Sequence, residues 1–280
     1  MNRRKLRNKL MRTARMVRPR LGLRDSDVIL ASFPKSGNTW MRFIWANIIA
    51  EQELAGRTVD FHFVERELAW NHDTFQFGSL EIKSLPRLIK THHLFEERIF
   101  GNNRVVYIYR HPGDTLVSCY AFRRAKIRRT RVSRLDFSAL LHDDKNGLPA
   151  WVRHMENWLP RATSVVRYEV LKDKGYDVVE RVLRDLGIAN VDPAVLDKAV
   201  ERSSFANTRA IESKFGRPDT AAFVDDFKFT RKGATGDWRN VFDAEDVHYA
   251  RSQTEHLGLG ELWTGQTDAV IPAASGQRKH

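Results

Sequence analysis

The sequence predicts a single α/β domain with a central parallel sheet and helices on both faces. Three observations lead there. A chain of 280 residues that is 42% hydrophobic has enough material for one sizeable core. Short apolar runs rich in β-branched residues alternate with helical patterns between residues 28 and 187. The clearest of these runs end directly at cations, as strands do when they open into a crevice at their carboxyl ends.

The first run, Val28 to Ala31, leads through Ser32-Phe33-Pro34-Lys35-Ser36-Gly37 into a helical pattern beginning near Thr39 and Trp40. A strand, a tight loop and a helix start bring free backbone N–H groups and the positive end of a helix dipole to one spot, and Lys35 adds a full charge. That is an anion cradle. Met41, Phe43, Ile44, Trp45, Ile48 and Ile49 make the helix mostly apolar, as expected for one buried against a sheet. Residues 51 to 86 mix their patterns, with aromatics at Phe61, Phe63, Trp70, Phe75 and Phe77, and read as irregular cover over a site.

Arg87 to His93 reads as a short strand running into titratable residues, and Arg104 to Tyr109 as a second buried strand ending at Arg110. The turn His111-Pro112-Gly113-Asp114 leads into a helix through Tyr120 and Phe122. Arg123 to Arg134 then holds seven basic residues and no acid, too polar for core and suited to an exposed loop or helix end. Further on, 151–159 reads as helix, Ser164 to Tyr168 as strand, and Val178 to Gly187 as a helix closed by its glycine. Residues 193 to 211 read as helical, 214 to 240 as loop-rich, and Asp243 to Leu257 as a final helix.

Charge divides the chain unevenly. The formal net charge is +12, yet residues 1 to 24 carry ten Lys and Arg without an acid, leaving 37 basic against 35 acidic residues in the body. The expected organisation is a basic segment over 1–24, the domain over 25–263, and a disordered tail over 264–280, which has no periodicity. Leu6, Leu10, Met11, Ala14 and Val17 fall near one helical face, so the basic segment suits either a peripheral anionic membrane contact or a solvated tail. One cysteine, Cys119, rules out an internal disulfide framework, and no run approaches a membrane span or a signal-peptide centre. A cytoplasmic setting is the expectation, with contact at the inner face of the membrane left open.

The segment Pro34-Lys35-Ser36-Gly37-Asn38-Thr39-Trp40 is not a Walker A loop, since no glycine-rich run precedes a Gly-Lys-Ser/Thr. It resembles the 5′-phosphosulfate loop of sulfotransferases that use 3′-phosphoadenosine 5′-phosphosulfate (PAPS). Three more segments are similar to that family in the same order: Pro86-Arg87-Leu88-Ile89-Lys90-Thr91-His92, then Arg110 with Ser118, then Arg231-Lys232-Gly233 followed by Gly236-Asp237-Trp238. Tyr168-Glu169 and Ser203-Ser204-Phe205 are weaker echoes. The resemblance implies a sulfotransferase of the cytosolic type, in a fold like that of P-loop nucleotide kinases, moving a sulfuryl group from PAPS to an acceptor hydroxyl.

The same resemblance implies roles. Lys35, Ser36, Gly37, Asn38 and Thr39 would hold the 5′-phosphosulfate, Asn38 through its amide. Arg110, Ser118, Arg231, Lys232 and Gly233 would hold the 3′-phosphate, which a single anion loop cannot reach. Trp40, Tyr168, Ser203 and Phe205 would lie around the adenine. Sulfuryl transfer, like phosphoryl transfer, asks the protein mainly for positioning and charge stabilisation. His92, with an ordinary pKa near 6.5, suits the general base; Lys35 and Lys90 suit the bridging and outer oxygens of the transferring group. No metal is expected, since no His/Cys cluster of ligand spacing occurs. His93 reads as a bystander, the other histidines as structural or exposed, and Cys119 as packing.

The acceptor stays open among phenol, alcohol, lipid and carbohydrate. Segments 59–77 and 123–134 would border its mouth, the aromatics suiting ring or sugar faces and the arginines an acidic acceptor. Val241-Phe242-Asp243-Ala244 stands where the family's dimer motif has a Thr-Val pair, so a dimer is left open. A kinase-like reading requires a Walker loop that is missing. A nucleic-acid module would have no use for the Arg231-Lys232-Gly233 cluster, so no nucleic-acid partner is expected.

Overall fold

The computed structural model describes residues 22–130, 136–218, 223 and 228–264, with residues 127–130 described in backbone only. The expectations for the basic N-terminal segment before residue 22 and for the tail beyond 264 lie outside them.

Four parallel strands form the sheet: β1 (Val28–Ala31), β2 (Leu88–Thr91), β3 (Arg104–Tyr109) and β4 (Ser164–Arg167), in the order β2-β1-β3-β4. Val28 pairs in register with Leu88 on one side and Arg104 on the other, and Tyr107 pairs with Val165. All four residues of β1 are completely buried, which is why the strand reads as a continuous apolar run instead of an alternating one. Because the chain leaves β1 toward β2 and later passes to β3 on the opposite side, the order reverses at β1. The crevice beyond the carboxyl ends of β1 and β3 is where such sheets bind ligands.

Helix α1 (Asn38–Glu53) follows β1, and α2 (Pro112–Thr130) follows β3. Right-handed crossovers put helices on opposite faces of the sheet. Then come α3 (Leu148–Trp158), α4 (Tyr168–Asp173), α5 (Gly175–Asp185), α6 (Pro193–Arg202), α7 (Phe205–Phe215) and α8 (Ala244–Thr254). Helix α1 packs on α6, whereas α3 packs on α2 and α8. Trp45, Trp151 and Trp158 are the largest fully buried side chains and fill the spaces between layers. No described helix is long and apolar enough to cross a membrane.

Several boundaries differ from the sequence reading. Helix α2 continues past Phe122 to Thr130, because no glycine or proline lies between Gly113 and Thr130 and Ala, Lys and Arg favour helix; residues 131–134 of the basic run lie outside the described residues. Tyr168 opens α4 instead of ending β4. The helical stretch from 193 breaks at Ser203 and Ser204, where the Ser204 hydroxyl accepts the Asn207 N–H at 3.3 Å as the cap of α7. Residues 51–86 are not wholly irregular: a π-helical turn spans Phe63–Leu68, a 3₁₀ turn spans His72–Thr74, and Asn71 bridges to Lys90.

Candidate active site

The loop after β1 is built as an anion cradle. Gly37 caps α1 in the left-handed conformation at φ 103°, with no side chain satisfying the first-turn N–H groups. Lys35 also has positive φ, 72°, a conformation costing a lysine about 1 kcal/mol or more and one that curls successive N–H groups into a concavity. A Cβ on Gly37 would sit 2.6 Å from the Tyr168 ring, so glycine is needed for both torsion and space. Two expectations change here. The Asn38 amide nitrogen donates to Leu30 O at 3.2 Å and Ser32 Oγ at 3.1 Å, so it fastens the loop to β1 and has no donor left for phosphate. The Ser36 hydroxyl is fully buried without a hydrogen-bond partner, and Ser36 does not line the cavity.

The Lys35 ammonium lies 3.8 Å from the centre of the Phe229 ring and 4.6 Å from that of Phe122. Burial lowers its pKa to about 7; Cys119 opposes the shift, and Arg217, Arg110 and Arg231 add to it. Cys119 itself donates to Pro34 O at 3.5 Å, and burial raises its pKa to about 11, consistent with a packing role.

At the end of β2, His92 Nδ1 lies 2.7 Å from Ser32 O. A carbonyl oxygen only accepts, so the neutral ring holds its proton on Nδ1 and keeps the Nε2 lone pair. Against the ordinary value expected from sequence, burial first and the Lys90 ammonium second lower the His92 pKa to about 4, with Arg42 adding and Asp73 and Ser32 opposing. One carboxylate organises this strand end. Asp73 accepts from His92 N at 2.9 Å and Thr91 Oγ1 at 3.1 Å, and pairs with Lys90 Nζ at 3.2 Å. His93 is exposed, with Nε2 3.7 Å from Asp73, and it does not line the cavity.

His72, Asp73 and His93 place one donor atom each within 4.8 Å of one another, a cluster not foreseen from the sequence because the fold, and not spacing, assembles it. These atoms could hold a divalent cation, although Asp73 is already engaged by Lys90 and the backbone. His72, His111 and His154 are buried in aromatic surroundings, and His62, His142 and His248 lie outside the cavity wall.

The second cationic cluster forms where β3 ends. Arg110 Nη2 donates to Ala234 O at 2.6 Å, and the guanidinium lies 4.7 Å from the centre of the Tyr168 ring. Asp114, one turn into α2, accepts from Gly236 N at 2.7 Å and Trp238 N at 3.1 Å, which clamps the Arg231-to-Trp238 loop beside Ser118. Asp237 holds Lys232 at 2.8 Å and Arg231 at 3.2 Å. Gly233 has φ 61°, and a Cβ there would lie 2.6 Å from the Phe205 ring, so this loop and that aromatic touch directly. Trp40 meets Tyr168 edge to face at 5.5 Å. Ser203 lines the same wall, but its hydroxyl donates to Ala199 O at 2.7 Å and accepts from Asn47 at 3.0 Å, so it ties α6 to α1 and offers no donor inward.

One cavity of about 1330 Å³ joins these pieces, large enough for a nucleotide and a second molecule. Lys35, Gly37, Asn38, Thr39, Trp40, Lys90, His92, Arg110, Ser118, Tyr168, Ser203, Phe205, Arg231, Lys232 and Gly233 all line it; of the residues singled out from sequence, only Ser36 does not. The supporting acids were missed. Asp114, four residues after Arg110, carried a usable signal in its i,i+4 spacing. Asp73 carried none, since only the fold brings it to His92.

A family model for the sulfotransferase domain matches residues 25–257. Sulfotransferase 2A1 of Homo sapiens is 27% identical over 249 residues, covering 84% of this chain and 86% of its own length. Cytosolic sulfotransferase 1 of Arabidopsis thaliana is 29% identical over 255 residues, covering 79% and 75%. Among solved structures, a mouse sulfotransferase complexed with PAP has a TM-score of 0.61 at 20% identity, covering 88% of this chain and 90% of its own. Retinol dehydratase in complex with retinol and PAP gives 0.63 at 18%, covering 89% and 84%. At these identities the structural likeness establishes the fold.

Proposed function

The chain belongs to the sulfotransferase-domain family, and from that premise we propose that it transfers the sulfuryl group of PAPS to the hydroxyl of a small-molecule, lipid or glycan acceptor. The observation that carries this reading is the convergence of three strand ends on one cavity: the anion loop after β1, His92 after β2 and Arg110 after β3. A donor with anions at both edges of a ribose needs two cationic sites separated by an aromatic wall, and Trp40, Tyr168 and Phe205 form that wall.

In this reading the first-turn N–H groups of α1 and Lys35 hold the 5′-phosphosulfate, while Arg110, Ser118, Arg231, Lys232 and the bare backbone of Gly233 hold the 3′-phosphate. His92 Nε2 accepts the acceptor's hydroxyl proton as the oxygen forms its bond to sulfur and the bond from sulfur to the bridging phosphate oxygen breaks. Lys35 stabilises the charge that collects on that leaving oxygen, and Lys90 faces the outer oxygens of the sulfuryl group. The electron pair leaves with 3′-phosphoadenosine 5′-phosphate (PAP), so the step balances with a sulfate ester and PAP as products. The His92 hydrogen bond to Ser32 supports this assignment, since it fixes the ring and frees one nitrogen.

The test is transfer of ³⁵S from labelled PAPS to a panel of phenols, alcohols and glycans. Label appearing in an acceptor together with equimolar PAP is the expected result; PAPS left intact across the panel would overturn the reading.

A further inference from the structure

Resting on the sulfuryl-transfer reading, we propose that the acceptor carries, beside its reacting hydroxyl, a second anionic group, a sulfate, phosphate or carboxylate, held by Arg123, Lys126 and Lys145. The cavity face of α2 presents Ser118, Cys119, Phe122, Arg123 and Lys126, the three-and-four spacing of one helical stripe. Two contacts place that stripe against the anion loop: Cys119 donates to Pro34 O at 3.5 Å, and the Lys35 ammonium lies 4.6 Å from the Phe122 ring centre. Ser118 lies on the side of Arg110 and the second cluster, toward the helix start. Lys126 lies one turn beyond Phe122, about 5 Å further along the helix axis and away from the Ser118 end of the stripe. Lys145, from the loop before α3, lines the same cavity.

Lys35 aside, which faces the Phe229 and Phe122 rings, these cations differ from the others in the site. Lys90 is paired with Asp73, Arg231 and Lys232 with Asp237, and Arg217 with Glu65. Among the described residues, Arg123, Lys126 and Lys145 make no side-chain hydrogen bond or ion pair, although Asp143 feels the Arg123 charge at longer range. The wall beside the base is polar as well. Asn71, which bridges to Lys90, lines the cavity with Thr74 and Gln76; the Thr74 hydroxyl donates to Gln76 Oε1 at 3.0 Å and Asn71 Oδ1 accepts from Asp73 N at 3.1 Å. Phe61 is buried and Phe229 is covered by Lys35 and Arg217, so the free polar capacity of this part of the cavity is cationic, and the fitting acceptor is a hydroxyl compound bearing negative charge.

Matched acceptors test this on the full chain: estradiol against estradiol 17-sulfate, and tyrosol against 4-hydroxyphenylacetate, each assayed by ³⁵S transfer at 50 and 300 mM NaCl. In at least one pair the anionic member should show a kcat/KM at least about tenfold higher at low salt, narrowing at high salt. Lys126→Glu with Lys145→Glu, both at exposed positions, should reverse the preference, and the milder Lys126→Ser with Lys145→Ser should reduce it. Neutral acceptors used equally well or better in both pairs, or a preference that survives charge reversal, would overturn the inference while leaving sulfuryl transfer intact. Absence of transfer to every acceptor would instead count against the reading on which it rests.

Discussion

His92 Nδ1 donates to Ser32 O at 2.7 Å, which joins the residue after β2 to the residue after β1 and leaves Nε2 as the ring's free acceptor. If Nε2 is the base, His92→Ala should lower kcat by about 10² to 10⁴-fold while PAP affinity changes by less than about threefold. Single-turnover transfer and calorimetric titration of the same preparation separate the two quantities. A variant with near wild-type turnover would move the base elsewhere.

The lowered pKa of His92 sets a pH dependence. Burial, with Lys90 and Arg42, holds it at about 4, while burial is the main cause holding His111 at about 4 and His154 at about 3. The unfolded chain, with histidines near 6.5, binds more protons between those limits, so the stability these groups contribute is complete above about pH 6.5 and is lost as pH falls toward 4 and 3. Melting temperature should decline over that window, and less steeply for His92→Gln. In the free chain the His92 imidazole, followed by NMR, should titrate near pH 4, and the acid limb of kcat should lie higher, because the bound donor's anions favour the imidazolium. Titration of the free ring near 6.5 would contradict its desolvation.

On the proposed reading, Asp73 positions His92, from whose backbone N–H it accepts a hydrogen bond. Asp73→Ala removes the partner of Lys90 and the acceptor for His92 N, and should lower kcat by about 10- to 100-fold with a smaller change in PAP affinity. Because the Asp73 charge raises the His92 pKa, losing it should shift the acid limb of kcat to lower pH, which a general loss of stability would not do. Asp73→Asn keeps an acceptor oxygen and should recover part of the rate, but not the position of the limb.

How much of this was legible depends on what each residue answers to. The strands were readable because β1 and β3 are buried on both sides and therefore uniformly apolar, and the anion loop because Pro34, Lys35 and Gly37 break that run in a recognisable way. The lining residues assigned to the site from sequence were found through short local motifs. What sequence could not supply was the direction of side chains: Asn38 and Ser203 carry suitable groups that the fold points into β1 and along α6, and the Ser36 hydroxyl is buried. Nor could it supply the pKa of His92, set by its desolvated position beside Lys90, or the meeting of Asp73 with Thr91, nearly twenty residues away.

Lys35, whose pKa burial lowers to about 7, should take up a proton when an anion enters the cradle. At pH 8, where the phosphates of PAP are already ionised, binding should be accompanied by uptake of up to about one proton. Calorimetry in buffers of different ionisation enthalpy measures this uptake, and Lys35→Met should abolish it. Binding with no proton exchange in the wild-type chain would contradict the placement of the 5′-phosphate at Lys35.

The most direct test of two anion sites in one cavity is a calorimetric titration with PAP against adenosine 5′-phosphate, which lacks the 3′-phosphate. The account predicts at least about 100-fold weaker binding of adenosine 5′-phosphate, and loss of most of that difference in Arg110→Ala. Equal affinity for the two nucleotides would contradict it.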